Sequence, residues 1–392
     1  MSFSHSLVTL LVAGFVLAFA FGVAANRLGL SPLVGYMAAG IIVGPHTPGF
    51  VANQNLAGQL AEVGVILLMF GVGLHFSPRE LLDVRRLAVP GALGQITLAT
   101  LLGTLLGLAL GLPATEAMFL GFAISVASTV VLARALEERG EIRSAPGHLA
   151  VGWLIVQDLI MILALVLLPL ISGRGEEGVL MLAGFVILKV GVFLVLIYVV
   201  GTRLVPAALI ALAHERSREL FTLGVLATAL GIAWLAYFVF GASFALGAFV
   251  AGMVLAASPL GHAAAERSLP LRDAFAVLFF VAVGMQFDPS ILLDRPLAVA
   301  GLLLVILVGG SVAALAVAGA GRLGRAAAAR LAASLSQAGE FSFILAAFGL
   351  SFGLIGAESR DLIIAAALLS IALNPFLFRL ADRLQPARPP KT

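Results

Sequence analysis

The sequence predicts an all-α polytopic membrane protein, and three observations predict it. Of the 392 residues, 61% are hydrophobic and 11% charged, whereas soluble domains run about 45–50% apolar and about 25% charged. The charges fall in short clusters between apolar runs of roughly 18–25 residues, the length that crosses ~30 Å of hydrocarbon as a helix. The short alternating segments of a membrane barrel do not occur. The surplus of 23 Lys and Arg over 20 Asp and Glu is too small to point to nucleic acid, and with no cysteine there are no disulfides, thiolate metal sites or cysteine nucleophiles.

The apolar runs read as thirteen spans. The opening MSFSHS lacks the basic n-region of a signal peptide, so the first run, 7–25, is expected to stay as a span. Five more follow at 31–49, 57–76, 87–111, 114–136 and 148–171, then a linker span at 178–202. The last six lie at 218–239, 242–257, 271–288, 296–320, 329–353 and 359–380. The longest polar segments, Arg134–His148 and Ala211–Leu220, are connectors, and 381–392 is a charged, proline-rich cytoplasmic tail. One transmembrane domain is therefore expected over 1–392, its first repeat at 1–171 and its second at 218–380.

Sidedness supports this division, because cytoplasmic loops concentrate Lys and Arg. Nineteen of the 23 basic residues fall on one side, in clusters that include Arg27, Arg85, Arg139, Arg216, Arg272, Arg325 and Arg383. Only Arg174, Arg295 and Arg360 fall on the other, and Lys189 sits inside the linker span. The N-terminus is thus expected outside and the C-terminus in the cytoplasm. A single linker span between two sets of six inverts the second set, which is the plan of many secondary transporters with a midplane site at paired interrupted helices. Matching interruptions stand in the fifth span of each half, at SVASTVV (Ser125–Val131) and SLSQAGEFSF (Ser334–Phe343). Ser and Thr also serve as packing and backbone partners within helices, so the first cluster has two readings, packing or a broken helix.

Asp158 carries the functional argument. It lies ten residues after His148 and fourteen before Ser172, close to midplane. A carboxylate there costs roughly 2.5–3.5 kcal/mol and usually marks an ion or proton path. Its neighbours one turn away, Leu154, Ile155, Met161 and Ile162, are apolar, so its partners come from other helices. Protonated, it is neutral; ionised, it is neutralised by a monovalent cation. Two ligands competing for one carboxylate make an antiporter. Gln157 offers a carbonyl oxygen, and Ser128 and Thr129 offer hydroxyls and freed carbonyls, hard donors suited to Na⁺ or K⁺. Glu116 reads as a solvated span end, and Glu62 as a structural partner for a helix end. Glu340 stands open between a half-helix N-terminal role and ion binding.

Several motifs extend this picture: GWLIVQDL, LAEVGVILLMFGVGL (Leu60–Leu74), GASFALGAFVAGMVLAASP (Gly241–Pro259), FFVAVGMQFD (Phe279–Asp288) and SQAGEFSFIL (Ser336–Leu345). Together they resemble the monovalent cation:proton antiporters of the bacterial Kef potassium-efflux type, in order along nearly the whole chain. The resemblance implies a homodimer in the cell's inner (plasma) membrane, each protomer with a dimerisation domain and a mobile six-helix core bearing two crossed, unwound helices. It implies Asp158 as the exchanging carboxylate with Gln157 beside it, Ser128 and Thr129 as the unwound fifth span, and Gln337 and Glu340 as the matching twelfth. Such chains commonly continue into a cytoplasmic nucleotide-binding domain, so a regulatory domain or subunit is a further expected partner. The family often places a lysine in the eleventh span, and a gap-free count back from Gln337 puts Gly310 there.

Partners are thus K⁺ or Na⁺, H⁺ and the bilayer, with no nucleic acid and no cofactor. A cation channel would need a continuous wet path, and a sodium-coupled symporter for an organic solute would need a polar cavity. An enzyme is not expected, since no HExxH or paired-aspartate signature occurs.

Overall fold

A computed structural model describes residues 7–48 (without 29 and 31), 53–74, 78–171, 217–240, 244–258 (without 257) and 261–384, with isolated positions between 172 and 216. The linker span expected at 178–202 lies largely outside the described residues; Lys189 is half-buried. Among the described residues there are helices and no strands.

The helices are α1 (Leu7–Arg27), α2 (Pro32–Val43), α3 (Gln54–Gly73), α4 (Pro78–Ala109), α5 (Ala114–Ala123), α6 (Thr129–Glu138) and α7 (Ala145–Ile171). After the linker region come α8 (Arg218–Phe238), α9 (Phe244–Ala256), α10 (Gly261–Met285), α11 (Ile291–Asp294) and α12 (Pro296–Ala320). The chain ends with α13 (Arg325–Leu335), α14 (Glu340–Ser351) and α15 (Ala357–Asp382). Six helices among the described residues are long and apolar enough to cross a membrane, and shorter apolar helices accompany them. The eleventh expected span, 296–320, coincides with α12. The second is shorter than expected: α2 stops at Val43, before Gly44 and Pro45, because the residue before a proline avoids helical angles.

The chain divides into two compact units, one of Met1–Leu82 with Asp158–Gln286, the other of Asp83–Gln157 with Phe287–Thr392. The boundary falls within α7, between Gln157 and Asp158. In the first unit α3 packs on α9 and α10, and α2 on α1 and α10. Helix α1 buries a narrow stripe of Leu10, Gly14, Ala18, Gly22 and Ala25, while Val8, Val12, Phe15, Val16 and Phe19 point outward, as suits lipid. Helices α2 and α10 meet backbone to backbone: a Cβ on Gly40 would stand 3.0 Å from the Gly284 Cα, and one on Gly284 3.1 Å from the Gly40 Cα. Only glycine permits that approach.

Arg272, counted with the cytoplasmic-side charges at the start of the span expected at 271–288, lies within α10 and is buried, 6% exposed. Its guanidinium pairs with Asp273 at 3.1 Å. Its stem runs across Gly71 of α3, where a Cβ would stand 2.8 Å from the Arg272 Cδ. The missing side chain at Gly71 makes room for the arginine.

The second unit gathers the fourth and fifth spans, the start of the sixth, and the eleventh to thirteenth. Helix α12 packs on α13 and α15, α13 on α6 and α15, and α14 on α5 and α15. Glu116, expected as a solvated span end, instead closes the start of α15. Its Oε1 accepts the Gly356 N–H at 2.8 Å and the Ser359 hydroxyl at 2.7 Å, holding the N-cap residue and the first turn of α15.

Candidate functional site

Both expected interruptions exist. The fifth span ends as helix at Ala123 and resumes at Thr129; the twelfth ends at Leu335 and resumes at Glu340. Local chemistry explains the first break. The Ser125 hydroxyl donates to the Phe122 carbonyl at 2.7 Å, and Ser128 is extended, its Oγ accepting the Val131 N–H at 3.2 Å as the N-cap of α6. The serine cluster therefore caps two half-helices, which resolves its two readings in favour of a break. In the second, Ser336 returns its hydroxyl to the Ala332 carbonyl at 2.7 Å, and Gly339 runs extended at φ −114°, ψ −175° into α14 without a side-chain cap.

Unwinding frees backbone groups that must find partners in a dry interior. The two breaks supply each other. The Gln337 Oε1 accepts the Ser128 N–H at 3.1 Å while its Nε2 donates to the Ser128 carbonyl at 3.0 Å. The Gly339 N–H donates to the Val126 carbonyl at 3.0 Å. Contact is close enough that a Cβ on Gly339 would lie 2.7 Å from the Ser128 Cα. The unwound segments thus touch, face to face, within the second unit.

Neighbouring helices supply the remaining partners. From α7, the Gln157 Oε1 accepts the Ala127 N–H at 3.1 Å. From α15, the Ser370 Oγ accepts the Ala338 N–H at 2.9 Å, and the Asn374 Nδ2 donates to the Ala333 carbonyl at 2.7 Å. From α4, the Gln95 Nε2 donates to the Leu335 carbonyl at 3.3 Å, while its Oε1 accepts the Trp153 indole N–H at 2.8 Å. Trp153 and Gln157 are one turn apart on α7, so that helix braces both breaks. Gln95, Ser370 and Asn374 escaped the sequence reading, although each is a polar side chain inside an apolar run, which is the signal that singled out Asp158.

The expected site residues fall as follows. Ser128, Thr129, Gln157 and Gln337 are buried together around the crossing. Asp158 is the next residue of α7 after Gln157 and is 3% exposed. Gln157 was expected to offer its carbonyl oxygen to the cation, yet that oxygen already holds the Ala127 N–H. Glu340 begins α14, and its side chain lies outside the described residues. Glu62 is exposed on α3 and has no bonded partner among the described residues. Gly310 lies against the second break: a Cβ there would collide with the Leu335 carbonyl oxygen and stand 2.9 Å from the Ser336 Cα.

Known proteins resemble this chain. Residues 10–380 match the family described as sodium/hydrogen exchanger, transmembrane. A protein of Escherichia coli (strain K12) named "Putative cation/proton antiporter YbaL" is 53% identical over 383 residues, 96% of this chain and 69% of that protein. "K(+) efflux antiporter 4" of Arabidopsis thaliana is 33% identical over 379 residues, 95% of this chain and 64% of that protein. The chain therefore spans about two thirds of the length of these relatives. The solved structure of the sodium proton antiporter MjNhaP1 from Methanocaldococcus jannaschii at pH 8 superposes with a TM-score of 0.67 at 16% identity, covering 96% of this chain and 98% of that one. That likeness shows a shared fold.

Proposed function

We propose, from the premise that this chain belongs to the sodium/hydrogen exchanger family, that it exchanges a monovalent cation, K⁺ or Na⁺, for protons across the inner (plasma) membrane. The observation that carries this reading is the pair of unwound segments bound to each other through Gln337 and braced by Gln157, with a buried carboxylate, Asp158, as the next residue of the bracing helix. Crossed, broken helices with a buried acid supply what ion exchange in a membrane needs: freed backbone oxygens and a titratable charge.

In this mechanism proton and cation compete for Asp158. Ionised, the carboxylate attracts the cation while the Ser128 and Thr129 oxygens complete its shell; protonated, it is neutral and the cation leaves. Gln157 acts as a positioning residue that holds the Ala127 N–H. Alternating access moves the unit holding the crossing, and inverted repeats, a homodimer and an N-terminus outside with the C-terminus in the cytoplasm belong to the same reading. The family, and the relatives named as cation/proton, K⁺ efflux and sodium proton antiporters, support it.

The test is a proteoliposome assay that reads lumenal pH after addition of K⁺, Na⁺, Li⁺ or Rb⁺. Wild-type protein should move protons against at least one of these ions. Asp158→Asn keeps the shape but can neither carry a proton nor balance a cation, so exchange should vanish while the protein stays folded. Exchange at the wild-type rate in Asp158→Asn sinks the assignment.

A further inference from the structure

We infer that Ser342, on the second broken helix, is a further oxygen ligand of the transported cation and helps to set its selectivity. The inference rests on the cation-exchange reading above.

Ser342 is fully buried, 0% exposed, and its hydroxyl oxygen has no hydrogen-bond partner among the described residues. Leaving such a group unpaired costs about 1–3 kcal/mol. Serines in helices usually escape by donating to a carbonyl three or four residues back. Ser336, Ser351 and Ser370 of this chain all do so, to Ala332, Phe348 and Ala367. Ser342 lacks that escape because the chain is unwound just before it. Helix α14 begins at Glu340, so the residues three and four back, Gly339 and Ala338, lie in the unwound stretch.

Its place in the helix sets Ser342 beside the second break. Positions three apart share a helix face, and helical side chains lean toward the N-terminus. Ser342 therefore lies over the turn that opens at Gly339, the residue packed on Ser128. Gln157 strengthens the assignment. Its carbonyl oxygen is engaged by Ala127, and its buried Nε2 has no hydrogen-bond partner among the described residues. The N–H groups that Gln157 still offers repel a cation, whereas a hydroxyl oxygen attracts one. The start of α14 is also the positive end of a helix dipole, which opposes a cation on its own. The start of α14 consequently does not hold the ion by itself, which keeps the proton and cation in the competition proposed above.

The experiment compares wild type, Ser342→Ala and Ser342→Thr in two measurements. In proteoliposomes, Ser342→Ala should keep proton-coupled exchange, since the carboxylate is intact, with half-saturation for the preferred cation raised roughly three- to ten-fold and the order among Li⁺, Na⁺, K⁺ and Rb⁺ altered. Ser342→Thr keeps the hydroxyl and should stay close to wild type. In melting curves without alkali cations, Ser342→Ala should be as stable as wild type or more so, because it removes an unpaired hydroxyl; only the stabilisation gained on adding cation should shrink. Unchanged half-saturation and ion order in Ser342→Ala, while wild type exchanges, overturn the Ser342 assignment alone. A lower melting temperature of Ser342→Ala without cation shows a structural bond and overturns it too. Wild-type protein that exchanges no cation overturns the underlying reading.

Discussion

At the scale of single residues, one oxygen atom separates two roles. Because the Gln157 Oε1 holds the Ala127 N–H, Gln157→Leu leaves a buried backbone donor unpaired and should cost about 1–3 kcal/mol of stability. Thr129→Val, which removes a hydroxyl at the first residue of α6, should instead raise the cation half-saturation. Melting temperature and half-saturation measured on both variants separate the roles; a Gln157→Leu protein as stable as wild type would remove the brace. Gly310 gives a second contrast. A Cβ there meets the backbone of the second break, whereas at Gly319 on the same helix it meets nothing within 4 Å. Gly310→Ala should therefore cost about 1–3 kcal/mol by overpacking, and Gly319→Ala should be nearly neutral. Equal melting temperatures for the two would show that α12 yields freely at the crossing.

Among elements, the decisive one is the pair of broken helices. A single side chain, Gln337, bonds both the N–H and the carbonyl of Ser128; the carbonyl keeps the Leu132 N–H at 3.2 Å, so Gln337→Leu takes the partner chiefly from the buried Ser128 N–H. The expected result is faster hydrogen exchange at Ser128, with lower stability. Protection unchanged at that amide would mean that the breaks do not hold each other. The interruptions were legible in the sequence at Ser125–Val131 and Ser334–Phe343, because serine, glutamine and glycine inside apolar runs compete with the helical ladder. Their partners on other helices, Gln95, Ser370 and Asn374, were not paired in advance, since no local pattern says which turn of one helix meets which turn of another.

For the whole molecule, the family likeness and the two-unit division bear on how charge moves. A gap-free count from Gln337 sets Gly310 where the resemblance leads one to expect lysine, and the packing there leaves no room for a side chain without displacing the break. A single carboxylate neutralised alternately by H⁺ and a monovalent cation moves no net charge. Exchange should thus run without transient current on a supported membrane and ignore an imposed potential. A cation-driven current that disappears in Asp158→Asn would overturn electroneutrality and direct attention to Lys189. The proposed alternating access also predicts that cysteine pairs placed to restrain it, introduced into a chain with no native cysteine, block transport reversibly. Full activity in a cross-linked protein would contradict that motion.

Composition and periodicity by themselves determined that this chain lives in a bilayer, where most of its helices begin and end, where two of them break, and which acid stands alone in an apolar run. Each of these follows from the cost of exposing backbone or charge to hydrocarbon, which is paid locally in sequence. Only the tertiary structure decided that the breaks touch, that Gln157 is spent on Ala127, that Glu116 caps α15, that Arg272 is buried against Gly71, and that Ser342 is deprived of its usual partner. Those facts depend on which helices pack together and how closely, and close packing is set by pairs of residues far apart in the chain.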